Sequence, residues 1–199
     1  MSELPKLRAG SETSGTIPDI VLIGPVRTGK STLGKLLSEQ LGLPQVSLDD
    51  FRRKYYREIG YDEDLAQEFR KHGGFLALVL YWSLFDAYAI ERLLAEHRHC
   101  VFDFGAGAGL SESKENFSRV QHALALYPNI FLILPSADKE ESIRILSARD
   151  INPPVDLNFD LNRRFLEHGA YQRLAKHIIY TKGKTPEETR DEILGLVIK

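Results

Sequence analysis

The sequence predicts an α/β domain of three layers, a parallel sheet of about five strands with helices on both faces. Three observations carry this. Short blocks such as "IVLI" and "NIFLIL" are apolar at every position, which suits strands buried on both faces. Segments with helical spacing separate those blocks, the alternation of a parallel sheet with crossover helices. The 199 residues suit one domain, with no internal repeat and no linker that would divide it.

The elements follow in order. Residues 1–17 are rich in Ser, Gly, Thr and Glu, lack the apolar core of a signal peptide and are expected to form a disordered tail before a domain over 18–199. Ile20 to Ile23 is the first strand. Leu33, Leu36, Leu37 and Leu41 keep helical spacing, with Gly42 as the stop and Pro44 just beyond. A short strand is expected over residues 45–48, then charged helical stretches over 51–57 and 62–71. "FLALVLYWSLFDAYAI", from Phe75 to Ile90, is the most apolar stretch. Asp86 interrupts it, and the uninterrupted part falls well short of the roughly 20 residues a membrane span needs. It reads as a helix buried in the core or packed on a second subunit of a homodimer, running on through "ERLLAEH". "HCVFDF" is a strand, followed by a Gly/Ala loop and a helix at "KENFSRVQHALAL". The strand "NIFLILP" leads to the helix "SADKEESIRILSAR", opened by Ser136 with acidic residues in its first turns. "FDLNRRFLEHGAYQRLAK" reads as one helix, "HIIYT" as the last strand, and "TPEETRDEILGLVI" as a closing helix with Pro186 in its first turn.

Composition removes several function classes. A net charge of -2 offers no electrostatic case for nucleic acid or an anionic membrane as partner. Cys100 stands alone, which rules out an internal disulfide and a cysteine zinc site and points to a reducing, cytoplasmic compartment. It reads as a small core residue. His97 and His99 have no third ligand at metal spacing and read as surface residues. Ser111 and Ser113 lack the G-x-S-x-G elbow of a hydrolase.

Gly24, Pro25, Val26, Arg27, Thr28, Gly29, Lys30 and Ser31 fit the pattern G-x-x-x-x-G-K-S/T between a strand and a helix, the context that pattern requires. The glycines let successive backbone N–H groups face a polyphosphate, and the helix presents its positive end to it. Lys30 is placed to reach the β- and γ-phosphates and the Ser31 hydroxyl to meet Mg²⁺, with Thr32 completing the nucleotide-binding run. The expected fold is therefore the P-loop NTPase fold, with ATP and Mg²⁺ as cofactors. Asp103 ends an apolar strand, where an acid faces the crevice at the carboxyl edge of a parallel sheet, and is a second candidate on the metal side.

From Ile20 onward the chain resembles shikimate kinases and the related small-metabolite and nucleotide kinases. "GKSTLGKLLSEQLGLPQVSLDDF" carries the resemblance most specifically. "EFR" at Glu68 to Arg70, "FGAGAG", "NIFLILPSADKEESIRIL", a Pro-containing stretch at the lid position around 149–163, and "YTKGKTPEETRDEIL" follow in the family's order. The resemblance implies that Asp49 orients the accepting hydroxyl and takes its proton, and that Arg70 pairs with an acceptor carboxylate. It also implies that Gly105 and Gly107 let the acceptor approach the backbone. From the residues alone, Asp49 and Asp50 also read as a helix cap, Arg70 as a solvated face, and Lys182 and Lys184 as adenine-side or solvated. The chain departs from the family at several positions. Ser47 stands where a metal-associated aspartate belongs, and Arg27 where glycine is usual. Asn152 stands where the lid arginine is expected, leaving Arg149 as the catalytic candidate. Arg163, Arg164 or His168 must serve for an arginine before Tyr171. The implied activity is transfer of the ATP γ-phosphate to a hydroxyl of an anionic or polyhydroxy small molecule. A nucleoside or nucleotide kinase of the same fold, and a nucleotide-binding regulator without acceptor chemistry, are the alternatives.

Overall fold

The computed structural model describes residues 18–149 and 161–198; the expected tail and most of the expected lid lie outside the described residues. Its strands are β1 (Ile20–Ile23), β2 (Gln45–Ser47), β3 (Val101–Asp103), β4 (Asn129–Leu134) and β5 (His177–Tyr180), all parallel in the order β2-β3-β1-β4-β5. β1 is buried along its whole length, and its side chains alternate between two core layers. Val21 and Ile23 join Phe102, Ile130 and Leu132 on one face, while Ile20 and Leu22 join Val101, Phe131 and Ile179 on the other. A strand that is apolar on both faces requires cover on both. α1 (Lys30–Leu41) and α9 (Pro186–Leu196) supply Leu33, Leu37 and Ile193 to the second layer. The first layer is closed by α2 (Leu48–Glu58), α3 (Glu63–Trp82), α4 (Asp86–Glu96), α5 (Lys114–Leu124) and α6 (Lys139–Ala148). α7 (Leu161–Glu167) and α8 (Ala170–Leu174) complete it.

Three elements differ from expectation. The apolar run of residues 75–90 is two helices rather than one: α3 bends at Gly74 (φ 67°, ψ −163°) and ends at Trp82, and α4 starts at Asp86. Most of this run packs into the chain's own core, so Leu80 and Leu84 are the large apolar side chains it leaves exposed. No single helix among the described residues is long and apolar enough to cross a membrane; α3 and α4 qualify only together, and they are bent by 43°. Gly169, with φ 73°, separates α7 from α8 within the expected single helix. α6 is capped by Asp138, whose carboxylate accepts the Glu141 N–H at 2.7 Å, while the Ser136 hydroxyl accepts the Asp138 N–H. α9 starts as its sequence indicates: Pro186 fills the first turn, and Thr185 and Glu188 form a reciprocal capping box.

Candidate active site

The loop between β1 and α1 is shaped by its glycines. A Cβ on Gly24 would lie 2.6 Å from the Ile133 carbonyl oxygen, so only glycine lets β1 run beside β4 into the turn. Gly29 takes φ 94° at the entry to α1. Arg27 adopts φ 63°, a left-handed conformation that a side chain rarely takes. The Lys30 ammonium is buried and donates to the carbonyls of Gly24 at 2.9 Å and Pro25 at 2.8 Å. Two of its three donors thus brace the loop, which keeps the ammonium at the mouth of α1. Burial pulls its pKa down to about 8, against the opposing charges of Asp103 and Asp49. Thr28 donates to the Pro25 carbonyl at 3.2 Å and closes the turn.

Asp103 meets the first turn of α1. The Ser31 hydroxyl donates to its Oδ2 at 2.5 Å, and the carboxylate is buried. Burial raises its pKa, while the Ser31 hydrogen bond and the Lys30 charge pull it back. A hydroxyl and a carboxylate in contact beside a phosphate-type loop are the hard oxygen donors that Mg²⁺ prefers. Among the described residues no group of three or more His, Cys, Asp or Glu side chains could hold a metal. The donor set therefore fits an ion held by one or two protein oxygens together with phosphates and water, and Ser31 and Asp103 could hold it. Ser47 is the register partner of Asp103 across β2 and β3, so positions 47 and 103 stand side by side at the carboxyl edge.

On the acceptor side, α2 begins at Leu48 with Ser47 in the cap position, so Asp49 and Asp50 lie in the first turn and are not the cap. The Asp49 carboxylate, 61% exposed, rests over Gly105, where a Cβ would come 2.1 Å from Oδ1. A side chain at position 105 would therefore displace the Asp49 carboxylate from this position. Gly107 takes φ 89°, and its N–H donates to the hydroxyl of buried Tyr171 at 2.8 Å, which ties the glycine loop to α8. Arg52 lies beside Asp49, with Nη2 3.3 Å from Oδ1. Sequence reasoning did not single out Arg52. Arg70 is exposed on α3, its guanidinium 5.9 Å from the centre of the Phe75 ring. Arg163 pairs with Glu140, Arg164 with Glu112, and His168 lies 3.9 Å from Glu112.

Arg149 reaches the loop and donates to the Arg27 carbonyl at 3.0 Å. It also lines a cavity of about 280 Å³ with Gly29, Thr32, Thr181, Lys184 and Pro186. The Thr181 hydroxyl, on a residue that lines this cavity, is buried without a hydrogen-bond partner. Lys184 lines this cavity and pairs with Glu192, whereas Lys182 pairs with Glu141.

Sheet order, phosphate loop and the acid on the adjacent strand define a protein of the P-loop fold. The family model for shikimate kinase matches residues 27–197, and the chain belongs to that family. It is 29% identical to a shikimate kinase of Streptomyces coelicolor over 187 residues, covering 90% of this chain and 95% of the relative. It is 28% identical to a shikimate kinase of Francisella tularensis subsp. holarctica, covering 91% and 95%. Among solved structures it is similar to the shikimate kinase of Acinetobacter baumannii in complex with shikimate (TM-score 0.62, 19% identity, 92% and 93% of the two chains). The gluconokinase of Sinorhizobium meliloti shares the fold at TM-score 0.51 and 16% identity, over 90% and 91%. The chain is a small-molecule kinase.

Proposed function

We propose that this kinase moves the γ-phosphoryl group of ATP, in the presence of Mg²⁺, onto a hydroxyl of an anionic or polyhydroxy small molecule, with a shikimate-like hydroxy acid as acceptor. The observation that carries this reading is the convergence at the carboxyl edge of β2 and β3: Asp103 accepts from Ser31 in the first turn after the phosphate loop, Ser47 is its register partner, and Asp49 rests over Gly105 in the loop that follows Asp103. Donor loop, metal-side acid and acceptor-side acid therefore share one crevice. In this reading the loop backbone and Lys30 hold the β- and γ-phosphates, and Arg149 approaches from the base side. Asp49 orients the acceptor hydroxyl and takes its proton, over the space that Gly105 leaves open. Mg²⁺ bound by Ser31 and Asp103 would offset charge on the phosphates. The rest of catalysis is positioning in a partly water-excluded site. Relatives named shikimate kinase support the hydroxy-acid class. The test is a screen of ADP release across hydroxy acids, sugars, nucleosides and nucleotides. Strongest stimulation by a hydroxy acid is expected. Stimulation by a nucleoside or nucleotide alone would reassign the acceptor, and ATP binding with no acceptor-stimulated turnover would make the protein a regulator.

The Ser47 and Asp103 pairing supplies a separate test of the metal side. Asp103→Asn is expected to raise the Mg²⁺ concentration for half-maximal turnover by roughly 10- to 100-fold, the scale for losing a supporting group at a metal site. Ser47→Asp places a carboxylate at the adjacent register position and is expected to recover part of that loss in the Asp103→Asn background. An unchanged Mg²⁺ requirement in folded Asp103→Asn would make Asp103 a structural partner of Ser31 only.

A further inference from the structure

We propose that Arg52, held by Asp86, is the acceptor-side cation of this kinase: it fixes the Asp49 carboxylate and offers its remaining nitrogen to an anionic oxygen of the acceptor. The inference rests on the phosphotransfer reading above and adds the residue that selects the acceptor's charge.

Arg52 follows Asp49 by three positions on α2, a spacing that puts both on one helix face. Its Nη2 lies 3.3 Å from Asp49 Oδ1 and its Nε 3.9 Å from Asp86 Oδ1, with the side chain only 13% exposed. Both nitrogens are buried, yet neither makes a hydrogen bond. Nη1 is therefore the nitrogen of the guanidinium that is not closed off from solvent. Buried donors without partners are uncommon because each forfeits its hydration. Nε and Nη2 face Asp86 and Asp49 and are closed to solvent, so a further anionic oxygen would meet the guanidinium at Nη1. Its planar group lets two nitrogens face Asp49 and Asp86 while the third faces outward, an arrangement an ammonium cannot reproduce.

The surroundings explain how such a side chain is kept in place. Asp86 is buried at the start of α4 and also accepts the hydroxyl hydrogen of Tyr56, so its carboxylate is pinned between a tyrosine and the guanidinium. Asp86 acts through Arg52 and is a positioning residue. The other arginines considered for the acceptor face other groups. Arg163 forms a two-pronged pair with Glu140, Arg164 pairs with Glu112, and Arg70 lies over Phe75. Among the described residues, the cation within ion-pair range of Asp49 is Arg52.

The experiment follows thermal unfolding in Mg-ADP with shikimate, its uncharged methyl ester, or AMP as the probe. The wild type is expected to be stabilised by shikimate, identifying a carboxylate source, or by AMP, identifying a phosphate source, and little by the ester. Arg52→Gln should weaken the charged probe about tenfold or more, since a charge-assisted pair is lost. Arg52→Lys, which keeps the charge without the fork, and Asp86→Asn, which loosens the fork, should each narrow the preference for acid over ester. If Arg52→Gln fails to fold because Asp86 is left alone, the Arg52→Gln/Asp86→Asn double variant removes both buried charges and takes its place. Equal stabilisation of the wild type by acid and ester overturns the proposal. So does an undiminished response in the Arg52 variants, or no wild-type response to any probe. Stabilisation of the wild type by Mg-ADP alone is read separately. If it is present, only the assignment of Arg52 falls; if it is absent, the phosphotransfer reading falls with it.

Discussion

Lys30→Ala is expected to reduce ATP turnover by roughly 10³-fold or more while the domain stays folded, because in the proposed reading the ammonium is the charge that meets the transferring phosphoryl group. The fold does not depend on it. Burial holds its pKa near 8, so the charged side chain is a cost to the folded state rather than a support. The sign is testable. The unfolded lysine keeps its proton to about pH 10.5, whereas the folded one loses it near pH 8. Across that window the unfolded state binds more protons, so wild-type stability rises with pH, and this slope should vanish in Lys30→Ala. Stabilisation by Mg-ATP should shrink in the variant as affinity falls. At pH 8, where about half of the ligand-free lysine is neutral, ATP binding to the wild type should take up at most about half a proton. Calorimetry in buffers of different ionisation enthalpy reads that uptake. Undiminished turnover in folded Lys30→Ala would remove the nucleotide assignment.

The donor side was legible in the sequence because its chemistry is contiguous: eight residues make the loop, and the strand and helix that hold it adjoin them. β1 and β4 were legible for a related reason, since burial on both faces leaves no polar position to confuse the pattern. The end of α3 was not legible. Residues 83–85 carry no glycine or proline, yet the helix ends there in a tight turn in which the Leu84 and Phe85 N–H groups bond carbonyls three residues back and the Ser83 hydroxyl bonds the Leu80 carbonyl. The break at Gly169 had a visible glycine, yet the apolar spacing on either side continued through it. The acceptor side was legible only in part. Asp49, Gly105 and Tyr171 come from three separate elements, and their meeting depends on the pairing of β2 with β3 and on the Gly107–Tyr171 hydrogen bond. Arg52 left a signal: it follows Asp49 at same-face helical spacing, and an unexplained acid, Asp86, interrupts the most apolar stretch of the chain. Neither observation names the other until the fold joins them.

Asp49→Asn is expected to lower kcat by roughly 10²-fold or more with the best acceptor, while ATP affinity changes little. The amide keeps the size of the side chain and can still face Arg52, but it cannot take the proton of the accepting hydroxyl. The carboxylate is exposed over Gly105 and pairs with Arg52, so it bears on Lys30 through charge alone, and the change in ATP affinity should be small beside that in kcat. Gly105 provides an independent route to the same group. A methyl there would fall 2.1 Å from Oδ1 and 2.6 Å from Oδ2, so Gly105→Ala must displace an intact carboxylate. That variant should lose kcat on a similar scale, and combining it with Asp49→Asn should add little, since both act through one position. The alternative role for Asp49 is favourable charge in the first turn of α2, worth about 0.3–1 kcal/mol of stability and nothing in kcat. Ser47, not Asp49, occupies the cap of that helix, so a capping role would not explain a kinetic loss. Wild-type kcat in Asp49→Asn, with a small drop in melting temperature, would assign the residue to the helix. A kcat loss shared by Asp49→Asn and Gly105→Ala, with the Mg-ATP shift unchanged in both, would place the proton acceptor on the β2 side of the crevice.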